Sequence, residues 1–240
     1  MKFAIWQLEW RLAFRRRRLL LLNMGVPLLL VVSISGGRAP AYHASAAYTV
    51  LFVLFGSFGS AIPLLREGDN GLLRRIVLRG VHEPALLGER VLAGAGLDCV
   101  ELVPAITAIL LFGGTNPIVL ITLLPSLVAA LLTANLLGVW VAAGARSIAE
   151  GALFTSVASL FLLHGSGVFR TPDPGGWGAR IEAVLPFTAL HESLFAAAGG
   201  SGAPPTSGQI LVTLLSTTVL FLATLLVARN LTERITVPTR

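Results

Sequence analysis

Long apolar runs alternate along the chain with short charged intervals. Six runs stand out, at 19–35, 44–65, 91–112, 118–143, 148–168 and 209–228. Each approaches the roughly 20 residues that cross a bilayer as a helix rising about 1.5 Å per residue. None shows the alternation of polar and apolar positions that a membrane strand carries over about half that length. A helix also satisfies its own backbone groups where lipid offers no partner. The pattern predicts an all-α, polytopic membrane protein, with residues 1–240 forming a single transmembrane domain of six helices.

The intervals have patterns of their own. Phe3, Trp6, Trp10 and Phe14 recur on one helical face, and Arg15 to Arg18 follow directly. Aromatic rings favour the membrane interface and arginines favour the cytoplasmic headgroups. Residues 1–18 therefore read as an amphipathic interfacial helix, with Ile5, Leu8 and Leu12 forming an opposite apolar face that packs on protein. In the interval 66–90, Leu72, Leu73, Ile76 and Val77 share a helical face beside Arg74 and Arg75. A short amphipathic helix, a break at Gly80 and a helix start near Glu83-Pro84 are expected there. Such a segment is either a docking surface or a solvated connector. The Gly- and Pro-rich interval 170–208 holds two mildly apolar stretches, 181–185 and 187–198, too short to span and read as re-entrant helices.

Composition agrees: 55% of residues are hydrophobic, only 12% are charged, and mean hydropathy is +0.81. A soluble domain carries about twice that charged fraction. Of the Lys and Arg residues, only Arg38, Arg170 and Arg180 fall on one side of the six runs. All the others lie in the N-terminal segment, in 66–90, at Arg146 or in the C-terminal tail. This positive-inside bias puts both termini in the cytoplasm. The formal charge of +6 would suggest nucleic acid for a soluble protein. Here orientation accounts for it, so membrane lipid is an expected partner and nucleic acid is not. The single cysteine, Cys99, excludes an intrachain disulfide or a cysteine-paired zinc site and reads as a small packed side chain. The basic N-terminus leads into an apolar run without an A-x-A site, so that run is read as the first span rather than a signal peptide.

Ionisable groups at bilayer depth are costly and point to function. Asp98 and Glu101 lie one turn apart, roughly 10 to 15 Å into the third run by helix rise. They either face a cavity that meets a cationic group or pair with a neighbouring arginine. Phe52, Phe55 and Phe58 are candidates to line an apolar pathway, and Asn135 is a lone polar group in the fourth run. Gly56 and Ser60 form a small-xxx-small pair suited to close helix contact. Glu150 and His164 flank the fifth run as an interfacial and a packing residue. The four histidines lie in four segments, and neither His-Glu-x-x-His nor Gly-x-Ser-x-Gly occurs. An enzyme would have to work through Asp98 and Glu101; an ATP-independent carrier is a further alternative. The only lysine is Lys2, so no P-loop lysine is present to reach ATP phosphates.

The interval after the second run resembles the corresponding segment of ABC-2-type permeases, the membrane subunits of bacterial ABC exporters. Glu67, Gly71, Leu72, Leu73, Arg74 and Arg75 match its first part, and Leu86, Leu87 and Gly88 its second. Gly80 stands where proline is common, and Glu89 where lysine is common. The order Gly165-Ser166-Gly167-Val168-Phe169, Pro172, Pro174, Trp177 and Leu185-Pro186-Phe187-Thr188 is similar to the family's pattern after the fifth span. The resemblance implies that residues 1–18 form a connecting helix. It implies a cytoplasmic coupling loop at 66–90 that contacts a separate ABC ATPase through Glu67, Gly71, Leu72, Leu73, Arg74, Arg75, Arg79, His82 and Glu83. ATP and Mg would be held by that ATPase, with no cofactor or metal in this chain. Pairing with a second permease copy or a homologous chain, export of drugs (fluoroquinolone exporters included), and a bacterial plasma membrane location are also implied.

Overall fold

The computed structural model describes residues 4–37, 39–113, 117–170 and 176–236. Lys2, Phe3, Arg38, Pro172, Pro174 and Arg240, all used in the sequence reading, lie outside the described residues. Those described form helices and no strand: α1 (Ala4–Arg15), α2 (Arg17–Gly36), α3 (Ala41–Asp69), α4 (Leu72–Leu78), α5 (Glu83–Gly113), α6 (Pro117–Gly144), α7 (Ile148–Gly165), α8 (Trp177–Val184), α9 (Pro186–Ala197), α10 (Ser207–Leu226) and α11 (Ala228–Thr236). Six of them, α2, α3, α5, α6, α7 and α10, are long and apolar enough to cross a membrane.

Helix ends differ from the ends of the apolar runs. The helix α3 continues through Arg66 to Asp69, and α5 begins at Glu83 rather than at Val91. The loop expected over 66–90 shrinks to 70–82, with α4 inside it. Hydropathy drops where charge begins, but backbone hydrogen bonding does not; the Glu67–Arg90 ion pair ties the two charged extensions together. The turn glycines flank α4: Gly71 has φ 65° and Gly80 φ 82°. Proline, fixed near −65°, would not fit at Gly80. The fifth span stops at Gly165 rather than 168, and the last breaks at Val227, after which α11 forms.

The helix α6 is the hub, with 67% of its spanning window buried against 11% for α2 and 17% for α10. Hydroxyl bonds pin neighbours to it: Trp140 Nε1 donates to Thr224 Oγ1 of α10 at 3.0 Å, and Ser193 Oγ of α9 to Ser126 Oγ at 3.2 Å. Interhelical bonds of this kind serve where lipid removes the hydrophobic drive between helices. The apolar core has two parts. One packs Tyr48, Phe52, Leu102, Leu127 and Phe187; the other packs Leu64, Leu73, Leu86, Leu87, Val139, Leu231 and Ile235 at the arginine-rich end. The helix α9 enters the first part through Phe187, Leu190 and Leu194, all fully buried.

Of the face expected to pack on protein only Ile5 does so, and the N-terminal helix docks chiefly through its tryptophans. Leu8 and Leu12 are exposed, and Trp6 and Trp10 lie over Gly96 of α5, where a Cβ would meet their rings at 3.2 and 3.4 Å. A glycine leaves a flat notch that takes an indole, which a leucine face could not match. Glu89 caps the helix start: its Oε2 accepts from Ile5 N at 3.1 Å and Trp6 N at 3.4 Å. A carboxylate there also complements the positive end of the helix dipole. Gly96→Leu should lever α1 away. Tryptic cleavage at Arg11 and Arg15 in nanodiscs should then quicken about tenfold, as expected for ~1.4 kcal/mol of lost docking. Wild-type cleavage rates would show that the indole notch does not hold the helix.

Candidate functional site within the helix bundle

Between the two apolar clusters lies a junction of small and polar residues from α3, α5 and α6. Asn135 is fully buried at its centre. Its Nδ2 donates to Asp98 Oδ2 at 2.7 Å and to Leu131 O at 2.9 Å, and its Oδ1 accepts from Ser60 Oγ. Glycines make this approach possible. A Cβ on Gly94 would lie 2.5 Å from Asn135 Oδ1, one on Gly56 3.1 Å from Ala134 Cβ, and one on Gly138 2.6 Å from Ser57 O. The pair Gly56 and Ser60 thus sits at a contact within this chain, between α3 and α6.

One side of the junction opens into a cleft of about 620 Å³ between α2, α3 and α5. It exists because α2 packs along α5 and scarcely touches α3. Asp98 and Glu101 both line it and both are buried, 5% and 7% exposed. No arginine pairs with either among the described residues; Glu101 instead accepts from Asn23 Nδ2 at 3.1 and 3.2 Å. Phe55 and Phe58 are half-buried in the wall, whereas Phe52 is fully buried in the apolar core and away from the cleft. Phe52 is therefore a packing residue, turned from the cleft by the 100° steps of the helix. Toward the arginine-rich end the cleft is flanked by an ion cluster: Arg90 binds Glu67, and its Nη2 lies 3.1 Å from Glu9 Oε1. A groove of about 460 Å³ continues from there past Arg16 and Arg66 to Leu72.

The second arrangement is the platform at the arginine-rich end. In α4, Leu73 is fully buried and Leu72, Arg74, Arg75 and Leu78 are exposed, as are Arg79 at its C-cap and His82. The predicted coupling positions are thus divided. Leu73 anchors α4, Gly71 turns the chain, Glu67 is committed to Arg90, and Glu83 opens α5. Beneath α4 runs α11, whose Ala228, Leu231 and Ile235 are buried and whose Ile235 closes on Gly68 of α3. At the opposite end, Arg170 lies 3.8 Å from the buried Glu182; burial pushes that carboxyl above its usual range, and Arg170 works against the rise.

Sequence reasoning missed Asn23, Glu9, Arg90, Gly94, Gly138 and the helix α11. The spacing of Ala228, Leu231 and Ile235 at i, i+3 and i+7 carried the α11 signal. No local pattern marked the others as partners. Among the described residues no three His, Cys, Asp or Glu side chains come together where they could hold a metal.

Six helices long and apolar enough to span, a largely apolar cleft holding two carboxylates, and an amphipathic platform on one end describe a multi-pass membrane protein. A family model described as ABC-2 type transporter matches residues 3–198, most of the chain. The chain belongs to that family and is a permease component of an ABC transporter. No curated protein matches it.

Proposed function

We propose that this permease works as an exporter of lipophilic or amphipathic compounds, drugs among them and fluoroquinolones included, in a bacterial plasma membrane with both termini cytoplasmic. A separate ABC ATPase, holding ATP and Mg, docks on α4, and a second permease copy or a homologous chain completes the pathway. The observation that carries this reading is the division of α4: a buried Leu73 below, and Arg74, Arg75, Arg79 and two leucines outside. A solvated connector has no reason to be anchored in this way. Through Leu73, α4 shares an apolar cluster with α3, α5, α6 and α11, so a push on α4 is transmitted to the bundle as a unit. The helix α2, held to α5 but loosely to α3, is the element whose position opens or closes the cleft.

The test is recovery of an ATPase with the tagged chain from mildly solubilised native membranes. Arg75 donates to Asn70 O at 3.0 Å and to Gly71 O at 3.3 Å, so its reversal also loosens the turn. Arg74→Glu with Arg79→Glu is the cleaner variant. It should lower ATPase recovery at least about tenfold, equivalent to ~1.4 kcal/mol of lost binding, with an unchanged unfolding temperature. Absence of any ATPase from the folded wild-type preparation would overturn the reading.

A further inference from the structure

We propose that the cleft between α2, α3 and α5 binds a lipophilic organic cation, its charge against Asp98 and Glu101 and its apolar body against Phe55 and Phe58. As cargo, this ligand rests on the permease reading above; as a bound ligand it does not.

Three observations converge. First, the charged side chains lining the cleft are Glu9, Arg90, Asp98 and Glu101, and Arg90 is already committed to Glu9 and Glu67. The deep end therefore holds two carboxylates that pair with no arginine among the described residues, although Glu101 also borders the adjoining groove that Arg16 and Arg66 line. Carboxylates at membrane depth normally find a counter-charge or a function. Second, Asp98 bonds Asn135 through Oδ2, while its Oδ1 has no hydrogen-bond donor among the described residues and is not one of the sealed-off polar atoms, so it stays accessible where Asp98 lines the cleft. The fixed Asn135–Ser60 network holds that carboxylate in place, which is the preorganisation a binding site needs. Third, the wall is apolar and aromatic. A volume of about 620 Å³ falls among small-molecule sites. A phenyl ring facing a cation adds attraction. Calcium or magnesium would call instead for six or more oxygens, which a wall of Leu51, Leu54, Phe55 and Phe58 does not supply, and no three metal-ligating side chains come together among the described residues.

The experiment uses the full chain, with whatever co-purifies, in lipid nanodiscs. Saturable binding of tetraphenylphosphonium is compared with that of the isosteric anion tetraphenylborate, with empty nanodiscs as the partition control. The wild type should bind the cation saturably and the anion not at all. Glu101→Gln, in which the new amide oxygen can still accept from Asn23, should weaken cation binding at least about tenfold, the effect of ~1.4 kcal/mol. Asp98→Asn with Glu101→Gln should abolish it. Because Asp98 also holds Asn135, Glu101→Gln is the variant that separates charge from folding, and its unfolding temperature should match the wild type. Charge-blind binding, no saturable binding to the wild type, or unchanged affinity in the folded variants would each overturn the proposal. The ATPase content of the same preparations is measured in parallel. An ATPase without cation binding sinks this inference alone, and cation binding without an ATPase sinks the exporter reading alone.

Discussion

Gly138→Leu should prevent the bundle from assembling, whereas Gly25→Leu should leave it intact or slightly firmer. Both glycines lie inside spanning helices. A Cβ on Gly138 would lie 2.6 Å from Ser57 O, 2.8 Å from Ser60 Cβ and 2.9 Å from Ala61 N. Two of those atoms are backbone and cannot rotate away. Adding a methylene or two to a packed core costs about 1–3 kcal/mol. Four carbons driven into the α3–α6 contact should exceed about 3 kcal/mol, a large share of a total stability of roughly 5–15 kcal/mol. Around Gly25 nothing lies within 4 Å, and leucine removes the helix penalty of glycine, close to 0.8–1 kcal/mol by host measurements, so roughly a gain of that size. Unfolding temperature read by size-exclusion in detergent decides the matter. If the two variants behave alike, α3 and α6 are not held at glycine distance.

Arg90→Leu should be the second severe change. Arg90 is 12% exposed and stands between Glu67 and Glu9, which are 21% and 25% exposed. Its removal leaves two carboxylates facing each other in a partly dry site. Removing one partner of a buried pair costs about 3–5 kcal/mol, and water reaching the rim should bring this toward the lower figure. The damage is uncompensated charge rather than lost attraction. The triple change Glu9→Gln, Glu67→Gln and Arg90→Leu should therefore recover part of the loss. Recovery appears as a positive coupling in a mutant cycle of unfolding temperatures. If the triple variant unfolds as early as the single one, the cluster acts by shape and not by charge. The single variant should also free α1, since Glu9 is one of its tethers to α5.

The six spans and the general character of the chain were legible in the runs of apolar residues, because a bilayer demands the same length and the same backbone economy of every helix. The α4 interval was legible too, since its apolar face recurs within one turn and a half. What escaped were features made between elements. The aromatic stripe at Trp6 and Trp10 was expected to lie along lipid, and it lies on Gly96 instead. Phe52 shares a helix with Phe55 and Phe58 yet packs in the core. The charged ends of α3 and α5 looked like loop and are helix, held by an ion pair across 23 positions of sequence.

By itself, then, the sequence determined the class of fold, the number of spans, the sidedness of charge and the presence of two carboxylates at membrane depth. Each of these is written locally, in the polarity of neighbouring residues. Only the tertiary structure decided that Asp98 and Glu101 meet Asn135 and Asn23 rather than an arginine, that a cleft opens beside them, and that Gly138 lies against the backbone of a neighbouring helix where Gly25 faces open space. In a membrane every helix is apolar on most of its surface, so hydropathy does not say which face meets protein. That choice is made by shape, where the absence of a side chain on one helix admits the backbone of another.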